Sequence, residues 1–171
     1  MRYFKKLVGK KCYLSPLNSA DAPLFTQWLN DLEVVQYLDI RRQNISLHGE
    51  EAALSMLAQE HVYAIIDLET DKVIGDVGLQ AMDAANRTAE MGIFIGDKAY
   101  WGRGYGADAM GALAGYAFDF LGIHNIMLRV AAFNTRAVAC YRKVGFKENG
   151  RRREALYFSG QYHDIIFMDL L

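Results

Sequence analysis

Trp101-Gly102-Arg103-Gly104-Tyr105-Gly106-Ala107 packs its glycines between a β-rich segment, Thr88–Gly96, and the head of an apolar-patterned stretch, Tyr105–Leu121. Glycine lacks a Cβ, so its backbone reaches positive φ freely and can come close to a ligand. Successive amides at a helix N-terminus form a nest for negatively charged oxygen. The loop reads as a pyrophosphate cradle, and the compound it cradles decides fold and function. Two familiar cradles fail. Gly102-x-Gly104-x-x-Ala107 formally matches the dinucleotide fingerprint, which also needs an acidic residue about 20 positions on, at the end of the next strand. That strand is Asn125–Phe133, and it contains no Asp or Glu. A P-loop requires G-x-x-x-x-G-K-[ST]; the nearest approach, Gly145 to Gly150, runs on into Arg151-Arg152.

Outward from the loop, the pattern resolves into elements. Upstream, His61–Leu68 and Val73–Met82 flank the polar turn Glu69-Thr70-Asp71-Lys72 and predict an antiparallel hairpin. A second turn, Asp83–Asn86, leads into Arg87–Gly96, so three strands meander toward the loop. Further upstream, Lys10–Ser15 reads as a first strand. Asn18 or Ser19 caps a helix carrying Leu24/Trp28 and Phe25/Leu29, Asp39–Asn44 is irregular, and Ser46 opens a helix to about Gln59. Downstream, the small residues Ala107, Ala109, Gly111, Ala112, Ala114, Gly115 and Ala117 let the loop's helix lie close on the sheet. Asn125–Phe133 follows as a strand in parallel crossover. Asn134–Val144 is a helix ended by Gly145, and Phe146–Phe158 with Tyr162–Leu171 forms a last hairpin around Ser159-Gly160-Gln161.

The whole chain, residues 1–171, reads as one domain without repeat, linker or low-complexity tract. Apolar residues make up 52% and prolines number two, which suits a packed core rather than a disordered chain. A net charge of −1 provides no basic field for nucleic acid. The run Arg151-Arg152-Arg153 reads as a solvated face. Cys12 and Cys140 are too few for a disulfide framework and show no ligand spacing, so a reduced, cytoplasmic setting is expected. Apolar runs are far shorter than the roughly 20 residues of a membrane span. His48, His61, His124 and His163 show no metal-binding pattern, so no metal is expected; His163-Asp164 in the last strand stands out only as a possible groove-side pair.

The order of sheet then glycine loop, x-x-Gly104-x-Gly106-Ala107, and Asn134-x-x-Ala137-x-x-x-Tyr141-x-Lys143-x-Gly145-Phe146 resemble the GCN5-related N-acetyltransferase (GNAT) superfamily. Trp101-Gly102-x-Gly104-Tyr105-Gly106 resembles the branch that acetylates ribosomal-protein N-termini, with polyamine acetyltransferases close by. Trp101 departs from the Gln or Arg that usually begins the superfamily loop and suits the N-terminal-acetylating branch. The resemblance covers roughly Val73 to Leu171. It implies an α/β fold with a mixed, mostly antiparallel sheet of about seven strands, helices on both faces and a V-shaped cofactor cleft between two splayed central strands.

The same resemblance implies direct acetyl transfer from acetyl-CoA to a primary amine, either a protein N-terminal α-amine or a small-molecule amine. Backbone groups of Phe94, Ile95 and Gly96 are expected along the pantetheine arm. The loop from Gly102 through Arg103, Gly104, Tyr105, Gly106 and Ala107 is expected at the pyrophosphate, with Asn134 at the cofactor arm. Tyr141 stands where related enzymes protonate the departing thiolate. With reference pKa values of about 10 for tyrosine and about 8.5 for a thiol, full transfer is uphill by roughly 2 kcal/mol, so a hydrogen bond to the thiolate is the more economical role.

For a base, Glu33, Asp39, Asp76 and Glu90 are available, and Glu90 is chosen because it shares a strand with Phe94. An α-amine of pKa about 7.8 is one-third neutral near pH 7.5, whereas an alkyl amine near 10.4 is neutral about once in 800 molecules. The missing obvious base therefore mildly favours an α-amine or a weakly basic molecule. Polyamine or diamine acetylation is the alternative. A non-catalytic acyl-CoA-binding sensory module on the same fold is the rival of another class. The aromatic hairpin residues Tyr157, Phe158, Tyr162 and Phe167 would suit a homodimer contact.

Overall fold

A computed structural model describes residues 2–171. Eight strands form one sheet: β1 (Leu7–Val8), β2 (Cys12–Pro16), β3 (Val62–Asp67), β4 (Val73–Asp83), β5 (Thr88–Ile95), β6 (Asn125–Ala131), β7 (Lys147–Phe158) and β8 (Gln161–Leu170). Their order is β1-β2-β3-β4-β5-β6-β8-β7, and every pairing is antiparallel except β5 with β6. The helices are α1 (Ala22–Leu29), α2 (Leu32–Val35), α3 (Leu47–Leu57), α4 (Tyr105–Asp119) and α5 (Thr135–Val144).

The extra strand beyond the expected seven is β1. Two residues carry little pattern, and β1 exists because Leu7 and Val8 pair with Leu14 and Tyr13. The turn between β1 and β2 is held from across the sheet. Asp108, in the first turn of α4, accepts the backbone N–H groups of Lys10, Lys11 and Cys12 at 2.9, 2.8 and 3.1 Å. A Cβ on Gly9 would come within 2.3 Å of the same carboxylate, so only glycine fits that turn.

One face of the sheet is covered by α4. Ala109, Met110, Leu113, Ala114 and Ala117 are buried on Leu14, Ile65, Val77, Leu79, Met91, Ile126 and Leu128. The small residues that crowd this helix allow that close approach. Val138 of α5 and Phe146 join the same core. On the opposite face, Phe25 and Trp28 of α1 and Leu54 of α3 pack on Tyr13, Val62, Ala64 and Ile66. Asn18 caps a short 3₁₀ turn, Ser19–Asp21, before α1, and Ser46 caps α3 as expected. The irregular stretch becomes a 3₁₀ turn, Asp39–Arg42.

A bulge at Ile74 matters for the site. β3 pairs Ile65 with Gly75 but Ile66 with Val73, so one residue of β4 is extra. Because alternation has period two, the bulge changes which face the following residues occupy. Ile74, Val77 and Leu79 reach the α4 core, whereas Asp76 pairs with Ala64 and Phe94, which belong to the opposite face.

Candidate active site

The two central strands separate. β5 and β6 pair only at Thr88↔Asn125, Ala89↔Ile126 and Glu90↔Met127. Beyond that point β5 stays with β4 as far as Gly75↔Ile95, and β6 stays with β8 as far as Ala131↔Ile165. The facing edges of Met91–Ile95 and Leu128–Ala131 have no strand partner in the wedge between them. A cleft of about 810 Å³ fills this wedge and extends onto both faces of the sheet.

One limb lies against the glycine loop. Gly102 (φ +70°) and Gly104 (φ +86°) adopt left-handed backbone, and Gly104 is the N-cap of α4. No neighbour lies within 4 Å of a Cβ built at Gly102, so there glycine answers to backbone conformation rather than packing. The N-terminal amides of α4 are thereby presented at the cleft with the positive end of its dipole. Trp101, Gly102, Gly104, Tyr105, Gly106, Ala107, Asn134 and Tyr141 all line the cleft. The Tyr105 side chain turns inward, donating to Asp67 Oδ1 at 2.9 Å, so only its backbone serves the loop.

Trp101 has a local task that its identity alone did not reveal. Its indole N–H donates to the Ile95 carbonyl at 2.8 Å, tying the loop to the end of β5. The Arg136 guanidinium lies 4.3 Å over the indole ring. Phe94 and Ile95 line the cleft, whereas Gly96 and Arg103 do not. The Gly96 amide donates to the Ile74 carbonyl, and a Cβ there would come within 2.2 Å of the Trp28 ring. Gly96 is thus a packing requirement of α1. The Arg103 side chain folds back over Tyr100 and Tyr105 and donates to the Ala99 carbonyl.

Asn134 caps α5, its side chain accepting from the Ala137 amide at 3.2 Å, which leaves its own NH₂ free toward the cleft. Tyr141 stands two turns on, half-buried, and burial pushes its phenol pKa up to about 12 with the neighbouring Cys140 adding to the rise.

The other limb opens on the α1–α3 face. Asp76, Gly78, Gln80, Glu90 and Gly92 lie on one face of β4 and β5, opposite the loop residues Tyr37–Arg41. Glu90 Oε1 accepts from Arg129 Nε at 2.8 Å, and Arg129 also reaches Asp39 at 3.8 Å. This bridge crosses the wedge just past the last β5–β6 rung. Arg129, a lone charge in an apolar strand, was the sequence signal for it. Asp76 accepts no hydrogen bond from a described residue, and its carboxyl is pushed up to about 7, first by burial and then by the charge of Glu50. His163 packs on Phe133 at 4.4 Å while Asp164 binds Arg151 and the Glu154 amide, so that pair supports the hairpin beside the groove. Among the described residues no cluster of three or more His, Cys, Asp or Glu side chains could hold a metal ion.

A split sheet with a glycine-capped helix at the mouth of the split defines an acetyltransferase-type fold. The chain belongs to the acetyltransferase (GNAT) family, whose domain model matches residues 11–147, and it is thereby an N-acetyltransferase. It is 28% identical to an uncharacterised N-acetyltransferase, p20, of Bacillus licheniformis, over 96% of this chain and 95% of that one. It is 32% identical to a putative ribosomal N-acetyltransferase, YdaF, of Bacillus subtilis, over 78% of this chain and 65% of the relative. Among solved structures, spermidine N-acetyltransferase from Vibrio cholerae in complex with CoA and spermine superposes with a TM-score of 0.83 at 25% identity, covering 94% and 95% of the two chains.

Proposed function

We propose that this protein transfers an acetyl group from acetyl-CoA to a primary amine by direct attack in a ternary complex. The observation that carries this reading is the unpaired β5 edge opening beside the glycine nest of α4. A pantetheine arm carries amides that can pair with such an edge as an added strand, and a pyrophosphate matches the nest and the helix dipole. The residues fit the cosubstrate: Phe94 and Ile95 along the arm, Gly102 to Ala107 through their amides at the pyrophosphate, and Asn134 through its free NH₂. Gly96 and Arg103 act at one remove, by seating Trp28 and by shaping the loop.

Catalysis rests mainly on holding thioester and amine together. Tyr141 hydrogen-bonds the departing thiolate. At a pKa of about 12 against about 8.5 for a thiol, complete proton transfer would be uphill by roughly 5 kcal/mol, so stabilisation of the anion is the role that fits.

The acceptor in this reading is the α-amine of a peptide or protein. It would enter between the Asp39–Arg42 turn and the β7–β8 hairpin, which the Arg42 contact to the Tyr157 carbonyl joins across that face. Asp39, Asp76 and Glu90 in the same limb favour a second reading, a spermidine-like polyamine. A reducing, cytoplasmic setting belongs to the same proposal, since Cys12 and Cys140 are free thiols. So does one catalytic domain, with exposed Tyr157 and Tyr162 available to a second copy.

The test is thermal unfolding with acetyl-CoA, CoA, NAD and ATP, followed by mass-spectrometric detection of acetyl transfer to an Ala-initiated peptide and to spermidine. A ligand at 100 times its dissociation constant adds about 2.7 kcal/mol, several degrees at this length. Stabilisation by acetyl-CoA and CoA alone, with acetyl transfer, supports the reading. Stabilisation without transfer to any amine favours a sensory module, and a response to NAD overturns the proposal.

A further inference from the structure

We propose that Asp76 takes the proton from the attacking amine, and that the Glu90–Arg129 bridge frames the acceptor limb instead of serving as the base. This assignment rests on the acetyl-transfer reading above.

The rungs of the sheet carry the geometry. Asp76 pairs with Phe94, Gly78 with Gly92, and Gln80 with Glu90. Cross-strand partners share a face, so this face of the wedge has a carboxylate at each end and two glycines between. Val62 fills the space over Gly78, where a Cβ would meet it at 2.7 Å, whereas a Cβ on Gly92 would meet only the Gln80 side-chain amide at 3.8 Å, so the rung leaves a recess over Gly92. Asp76 borders it beside Phe94, which the acetyl-transfer reading sets along the pantetheine arm, and Glu90 borders it two rungs away.

The two carboxylates differ in their partners. Glu90 is held by Arg129 at 2.8 Å, and Arg129 is shared with Asp39. Asp76 has no cation in contact and accepts no hydrogen bond from a described residue. The groups facing it come from every element packed there. From α3 comes Glu50, buried at 6% exposure and also without a side-chain hydrogen bond. From β3 come Val62 and Ala64, and from α1 the apolar Phe25 and Trp28. From β5 come Phe94 and, two rungs on, Glu90. The Asp39–Arg42 turn contributes Asp39 and Arg41 to the rim of the limb. Burial and the Glu50 charge thus leave Asp76 with a carboxyl near 7, which suits a proton acceptor at neutral pH.

The step balances. The acceptor arrives as an ammonium and gives one proton to the Asp76 carboxylate, directly or through one water in the recess. The freed lone pair forms the C–N bond at the acetyl carbon, and the C–S bond breaks with its electrons on sulfur. The second nitrogen proton passes to that sulfur with Tyr141 stabilising the anion. The products are the amide, the free thiol and a protonated Asp76, which returns its proton to water.

The experiment compares wild type, Asp76→Asn and Glu90→Gln in steady-state kinetics over roughly pH 5 to 9. The acceptors are spermidine, an Ala-initiated peptide and trifluoroethylamine, a much weaker base. Asp76→Asn is expected to lower kcat about 100-fold or more for the strongly basic amine and far less for trifluoroethylamine, which is largely neutral already. Its acid limb should flatten while acetyl-CoA still raises its Tm as in wild type. Glu90→Gln should raise KM for the acceptor and keep the acid limb. The assignment is overturned if Asp76→Asn stays within about 3-fold of wild type with the same acid limb, or if its loss is equal for all three amines. Should that variant not fold, carbon-13 titration of the wild-type carboxyls decides: Asp76 titrating near neutrality supports the assignment, and titration in the usual carboxylate range overturns it. A wild type that acetylates none of the amines sinks both readings together. Wild-type turnover matched by Asp76→Asn sinks this one alone.

Discussion

Tyr141 owes its predicted role to position and its limits to burial. Its hydroxyl reaches the cleft with no hydrogen-bond partner among the described residues, and desolvation holds the phenol in its neutral, donating form. Tyr141→Phe should therefore lower kcat by about 10- to 100-fold while KM for acetyl-CoA changes less than about 2-fold, because only the transition-state anion loses its donor. Steady-state kinetics on the variant checks this; a KM effect with unchanged kcat would assign the hydroxyl to cosubstrate binding. Gly96 makes the opposite case, a residue that looked like part of the site and is fixed by packing. Gly96→Ala drives a methyl into the Trp28 ring, 2.2 Å away, and should cost about 1–3 kcal/mol by overpacking. Denaturant unfolding reads this directly, and acetyl-CoA binding to the folded variant should stay close to wild type.

At the scale of elements, α4 connects the edge of the sheet to the cleft. Its first turn presents amides at one end while Asp108, in that same turn, gathers three backbone N–H groups from the β1–β2 turn. Burial raises the Asp108 pKa, and the three N–H donors outweigh it, leaving the carboxyl below its ordinary value. A depressed carboxylate stabilises the fold above its unfolded pKa, and that stability is lost as pH falls through the folded value. Asp108→Ala should destabilise the protein by about 1–3 kcal/mol near neutrality. The difference from wild type should shrink on acidification, as unfolding curves at neutral and acidic pH would report. Much of this level was legible beforehand. The Glu69–Lys72 turn, the Ser46 cap, the Gly145 C-cap and the glycine loop each announce an element through local chemistry that packing does not override. β1 was not legible, since two residues have no period and depend on a remote carboxylate. Nor was the choice between Asp76 and Glu90, because it turns on the Ile74 bulge, which reverses the facing of β4 without a mark in its composition.

Across the whole molecule, a half-buried carboxylate without a cation is a standing cost, and its sign can be worked out. Asp76 is raised from 3.8 to about 7, chiefly by burial and then by Glu50. A group raised in the folded state contributes stability that is complete below its unfolded pKa and is lost as pH climbs through the folded value. The window therefore runs from about pH 4 to about pH 7, above which the folded protein carries the charged carboxylate. At roughly 1.4 kcal/mol per pKa unit, the three units amount to at most about 4 kcal/mol. Asp76→Asn keeps the shape and removes the titration. Near pH 4, at the acid end of that window, where the unfolded chain has only begun to release the proton, the two proteins should melt close together. Near pH 8 the variant should melt several degrees higher, since each kcal/mol is worth about 2–4 °C at this length. Thermal unfolding at both pH values checks this without any acceptor. A variant that gains stability above neutrality while losing turnover would show that the fold keeps Asp76 for its chemistry at the expense of its stability. An equal change in Tm at both pH values would mean that Asp76 does not titrate in this window.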